Sequence, residues 1–139
     1  MTLLLIVAHA PLATALKAVA RHAFPESAEA IVTIDVDPGE QADGVEARIR
    51  SAVPAQAQAL ILCDALGATP CNAAQRLAQE HRVHIVAGVN VPMLWRALCY
   101  AQEPLAAQTQ RALAGAIKGA VVVSSSALVH EQENRCDPQ

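Results

Sequence analysis

Leu3-Leu4-Leu5-Ile6-Val7-Ala8-His9-Ala10-Pro11 decides how this chain is read. Leu3 to Val7 is a continuous apolar run, bounded by His9 and Pro11. A strand with one wet face alternates apolar and polar residues. An unbroken run suits a strand covered on both faces, as in a parallel sheet. Past Pro11 the period changes, and Leu12, Leu16, Val19 and Ala20 recur at helical spacing up to Phe24-Pro25. The start superficially resembles a signal peptide. It lacks a basic leading region, its apolar run is short, and His9 and Pro11 stand where a small-residue cleavage site belongs. The expected reading is a buried strand and a cytoplasmic location.

The same strand-then-helix alternation continues outward. Ala30 to Asp35 reads as a second strand. Asp37-Pro38-Gly39-Glu40 reads as a helix start, with Asp37 as cap, and that helix turns Val45 and Ile49 inward before Pro54. Ala59 to Cys63 is a third strand, followed by an Asp64–Ala68 loop. Thr69 is expected to cap a helix that starts at Pro70 and continues to about Glu80. Val83 to Ala87 is a fourth strand, and Asn90 caps a helix running to about Tyr100. A helix from Pro104 to near Gly119 follows. Strands and helices alternating with short loops specify right-handed βαβ units, a parallel sheet and helices on both faces. The fold class is a single doubly wound α/β domain. Ala120 to Ser124 has strand character, and periodicity does not say whether it closes its own sheet or pairs with another chain's.

Composition narrows the function. The chain has 139 residues, enough for one domain that buries a core without a disulfide or metal staple. Apolar residues make up 53% and charged residues 17%, which excludes a disordered chain. Thirteen acids against ten Lys and Arg leave a net charge of −3, with one Phe, one Tyr and one Trp. A nucleic-acid surface of cations and stacking rings is therefore not expected. No apolar run approaches the ~20 residues of a membrane span. The four cysteines, Cys63, Cys71, Cys99 and Cys136, form no C-x-x-C pair. A reducing cytosol disfavours disulfides, so Cys63 and Cys99 are expected as small core residues. His81 and His84 lack a third neighbouring ligand, so no metal is expected there.

In an open α/β sheet, ligands bind beyond the carboxyl ends of the strands. Strand one ends at His9, strand two at Asp35 and Asp37, strand three at Asp64 and strand four at Gly88-Val89-Asn90. This set suits phosphoryl transfer through histidine. If Asp64 accepts the hydrogen on one imidazole nitrogen, the other keeps its lone pair as nucleophile. The Thr69 hydroxyl and backbone N–H groups of the Gly67-Ala68 turn are candidates to hold the phosphoryl oxygens. Asp35 and Asp37 are read as serving the turn and the helix start.

Four stretches carry a resemblance: Ile6-Val7-Ala8-His9, Ile34 to Glu40, Asp64 to Ala74, and Val86 to Leu94. Together they resemble the mannose-family enzyme IIA domain of the bacterial phosphoenolpyruvate-dependent phosphotransferase system, over about residues 2–125. The resemblance implies a phosphorylated histidine at His9, an orienting aspartate at Asp64 and a phosphate-binding hydroxyl at Thr69. It implies HPr as phosphoryl donor and an enzyme IIB protein as acceptor. It also implies a homodimer in which the C-terminal strand crosses to the other subunit, which gives Ala120–Ser124 a place. The domain is expected over 1–125, with a polar tail over 126–139, and no cofactor is implied. Two positions depart from the family pattern: Ala10 stands where Gly commonly follows the histidine, and Ala68 stands where a second Gly is usual. Alanine restricts both to negative φ. Three rivals remain open. One is a regulatory phosphoprotein without sugar transport, and another is the phosphotransfer subunit of a dihydroxyacetone kinase. The last is an unrelated flavodoxin-like binding domain, although neither G-x-G-x-x-G nor a Walker lysine motif occurs.

Overall fold

Leu4, Ile6 and Ala8 face one layer of the molecule, and Leu5 and Val7 face the other. This two-sided burial is what the unbroken apolar run demands. A computed structural model describes residues 2–124. The elements are β1 (Thr2–His9), α1 (Leu12–Ala23), a short 3₁₀ turn (Ser27–Ala30), β2 (Val32–Val36), α2 (Ala42–Ala52), β3 (Gln58–Cys63), α3 (Thr69–Gln75), β4 (Val83–Ala87), α4 (Val91–Cys99) and α5 (Leu105–Gly119). The four strands form one sheet in the order β2-β1-β3-β4, with every pair parallel. Helices α1, α4 and α5 cover one face, around Ile6, Leu60, Leu62 and Met93. Helices α2 and α3 cover the other, around Leu5, Val7, Ile61 and Leu77.

The strand order fixes where a site can form. From β1 the chain moves outward to β2, then returns across β1 to β3 and β4. The progression therefore reverses between β1 and β3, and a crevice opens there at the carboxyl edge. His9 ends β1, and Asp64 follows the last residue of β3. In the β1–β3 register Val7 lies opposite Cys63, so the two segments leave the sheet side by side.

Two local expectations are corrected. First, α2 begins at Ala42 and not at Pro38, because Asp37 and Glu40 satisfy each other in a closed turn. The Glu40 N–H donates to the Asp37 carbonyl at 3.0 Å, and the Asp37 N–H donates to Glu40 Oε1 at 3.0 Å. Second, Thr69 is the first helical residue rather than the cap. Ala68 takes the cap position without a side-chain bond. That helix stops at Gln75, not near Glu80, because the bonds of Arg76, Leu77, Ala78 and Glu80 tighten to the i−3 carbonyl. Residues 120–124 join no sheet of their own chain, which leaves pairing with a second chain as the open placement. Asn90 caps α4 as read, accepting the Met93 N–H at 2.9 Å. The 126–139 tail lies outside the described residues.

Candidate functional site

β1 stops at His9 because Pro11 has no N–H to extend the ladder; the Ala10 N–H makes the last such bond, to the Val36 carbonyl at 2.9 Å. The chain then turns into α1, whose first turn is anchored to β2. Thr14 donates to Asp35 twice, through its backbone N–H at 3.2 Å and through its hydroxyl. Asp35, expected to serve a turn, instead secures the helix that follows His9. No motif signals this bond, since it depends on how α1 lies over β2.

Asp64 reaches back from β3 to the end of β1. Its Oδ2 accepts the His9 backbone N–H at 2.9 Å and lies 2.6 Å from His9 Nδ1. Its Oδ1 accepts the Ala65 N–H at 2.9 Å. Burial alone would raise the Asp64 pKa. The hydrogen bonds from the His9 N–H, the His9 ring and the Ala65 N–H outweigh it and hold the carboxyl below its ordinary value. Asp64 is thus ionised at neutral pH and only accepts, so Nδ1 must carry the hydrogen. In the neutral ring, Nε2 then keeps the lone pair. The His9 side chain is 52% exposed and that of Asp64 only 13%, so the imidazole stands outward on a sheltered carboxylate.

The turn after Asp64 is rigidly tied. Gly67 has φ +90°, which Ala would strain; Ala68 has φ −90° and ψ 164°, ordinary extended backbone. Among the described residues no non-glycine has positive φ, so Ala10 and Ala68 impose no left-handed strain. The Asn72 side-chain amide donates to the Gly67 carbonyl at 3.1 Å, and the Ala68 N–H donates to the Ala65 carbonyl at 3.2 Å. The Ala68 amide is therefore already engaged. Across the crevice, the Gly88 N–H donates to the Asp64 carbonyl and the Val89 N–H to the Cys63 carbonyl, each at 3.0 Å. Thr69 stands half-buried at the start of α3, with no hydrogen bond to His9 among the described residues.

The cysteines overturn their expected state. Cys63 and Cys71 are fully buried but bonded to each other, with Cα atoms 5.4 Å apart. Cys99, half-buried at the end of α4, is also disulfide-bonded. Spacing alone does not expose the Cys63–Cys71 pair, because it forms only when the turn brings the first turn of α3 back to the end of β3. His84 Nδ1 lies 2.9 Å from Thr109 Oγ1, while His81 is exposed. Among the described residues no cluster of His, Cys, Asp and Glu could hold a metal ion. No described helix is long and apolar enough to cross a membrane.

Residues 3–114 match the sequence profile of a family described as EIIA-man, the PTS system fructose IIA component. No curated protein matches the chain. Among solved structures, the fold is similar to a phosphotransferase system component EIIA from Streptococcus agalactiae, with 23% identity, 88% of this chain and 97% of that one covered, and a TM-score of 0.81. It is similar to the mannose/sorbose specific IIA subunit from Enterococcus faecalis, with 20% identity, coverage of 88% and 95%, and a TM-score of 0.81. It is also similar to the PTS IIA protein associated with the fucose utilization operon of Streptococcus pneumoniae, at 22% identity, 80% and 88% coverage and a TM-score of 0.63. At these identities the likeness establishes a shared fold.

Proposed function

The chain belongs to the EIIA-man family of phosphotransferase-system IIA components, and from that premise we propose that it is a cytoplasmic phosphocarrier working through His9. One observation carries the residue assignment: Asp64 Oδ2 lies 2.6 Å from His9 Nδ1, with the ring half exposed. In this reading the Nε2 lone pair attacks the phosphorus of phosphorylated HPr. The N–P bond forms as the donor's bond to phosphorus breaks, and the donor keeps that electron pair. The ring gains positive charge during attack, and Asp64 stabilises it through the Nδ1 hydrogen. The Thr69 hydroxyl and the Gly67 and Thr69 N–H groups hold the phosphoryl oxygens, and the Ala68 amide joins them only if it leaves Ala65. Transfer to an enzyme IIB protein runs the same steps in reverse order. The protein works as a homodimer.

Incubation with phosphoenolpyruvate, enzyme I and HPr tests this. An acid-labile, alkali-stable phosphoryl label is expected on the wild type, and none on His9→Ala. Equal labelling of the two proteins would overturn the assignment.

A further inference from the structure

The bonded cysteines bracket the same turn that carries the site. Cys63 is the residue immediately before Asp64, and Cys71 lies two residues after Thr69 in the first turn of α3. The bond ties the exit of β3 to the start of α3 and closes the loop containing Asp64, Gly67, Ala68 and Thr69. We propose that Cys63 and Cys71 are positioning residues for phosphoryl transfer, their disulfide holding Thr69 and the 64–70 turn in register with the His9–Asp64 pair. This rests on the phosphocarrier reading above.

The physical reason is packing. Bonded sulfurs lie closer together than two thiols can approach, and both residues are completely buried. A core at crystal-like density has no slack for the extra separation. Cleavage therefore moves the start of α3 away from the end of β3. β3 is held on both sides by β1 and β4, and Asp64 by its carbonyl bond to Gly88. The displacement thus falls on the α3 side, which carries Thr69. A 1 Å misplacement of a positioned group can cost ~10²-fold in rate.

Both cysteines are completely buried, so exchange follows a local opening of the 64–70 turn. Ala65, Leu66 and Gly67 are all exposed, and Cys63 lies in the wall of an open cavity of about 440 Å³ beside Leu66, Ala87 and His84. A dithiol reductant attacks one sulfur to form a mixed disulfide, and its second thiol then displaces the protein sulfur. Two electrons and two protons pass to Cys63 and Cys71, and the reductant leaves as its own disulfide. Ambient thiol state then sets how fast His9 is charged.

The test poises the full-length protein in mixtures of reduced and oxidised dithiothreitol. Protein thiols are counted, and the initial rate of labelling from phosphorylated HPr is measured. The oxidised protein is expected to label at least about tenfold faster, within the ~10² range of such misplacements. The change should lie in kcat, with KM for HPr unmoved, and share its midpoint with Cys63 and Cys71 thiol formation. If the tie only stabilised the fold, its reduction would lower the melting temperature and leave kcat at 25 °C alone. The double variant Cys63→Ala/Cys71→Ala should label at the reduced rate and ignore dithiothreitol, whereas Cys99→Ala should keep the response. Equal rates in the two redox states overturn the inference, as does a response that survives in the double variant or vanishes in Cys99→Ala. Absence of His9 label in both redox states overturns the phosphocarrier reading itself.

Discussion

At neutral pH the Asp64 carboxylate accepts from the His9 backbone, the His9 ring and Ala65, and it does so largely out of solvent. The folded carboxyl is therefore a stronger acid than its unfolded counterpart. In acid the unfolded chain binds more protons, so stability falls as pH falls. Asp64→Asn should cost about 1–3 kcal/mol at pH 7, the range for removing a charged acceptor from sheltered donors. The cost should persist above about pH 4, the ordinary aspartate value, and shrink below it as the wild-type carboxyl protonates. Denaturant unfolding of both proteins between pH 3 and pH 7 checks this, and a gap of constant size down to pH 3 would refute it. The same variant should slow labelling of His9 by ~10²-fold or more, as loss of a group that orients a nucleophile does. The phosphoryl group should sit on Nε2, since Nδ1 is committed to Asp64; ¹⁵N shifts of the phosphorylated imidazole distinguish the two nitrogens. The meeting of His9 with Asp64 was legible in the sequence, although the residues are 55 positions apart. Each ends a buried run, and parallel strands bring their carboxyl ends to one edge.

At the level of elements, α4 and α5 approach so closely that glycine becomes a packing residue. A Cβ on Gly119 would run into the Pro92 ring, and one on Gly115 would lie 2.8 Å from the Pro92 carbonyl oxygen. Alanine gains about 1 kcal/mol over glycine inside a helix, but overpacking costs about 1–3 kcal/mol. The ring and the backbone of Pro92 cannot swing aside, so Gly115→Ala should lower the thermal midpoint by several degrees. Gly44, in α2, has open space where a Cβ would go. Gly44→Ala should raise the midpoint by a few degrees, since only the propensity gain applies. Calorimetry of the two variants should therefore give shifts of opposite sign, and the packing argument fails if both rise. These contacts show where sequence reading stops. The strand runs, the Asn90 cap and the two-faced burial of β1 are local patterns, and they were legible. The delayed start of α2, the early end of α3 and the Cys63–Cys71 bond were not, because each depends on partners that only the folded chain brings together.

The molecule as a whole carries an apolar end that the other described residues leave uncovered. Ile117 on α5 is 67% exposed, and beyond it Val122 and Val123 are 83% and 72% exposed. Residues 120–124 have the β-branched composition of a strand, yet pair with neither β2 nor β4. Among the described residues both edges of the four-stranded sheet stay unpaired, and open edges and exposed apolar segments favour association. A second copy supplies the complement in the reading proposed here, its segment adding to this sheet and this segment to its partner's. Light scattering should then return twice the mass of one chain. Val122→Asp/Val123→Asp should shift the mass toward one chain, because two buried charges would have to be desolvated at the junction. The substituted positions are almost fully exposed in the single chain, so that variant should keep its helical circular dichroism. A wild-type mass of one chain at every concentration would remove the dimer and return residues 120–124 to a single-chain role.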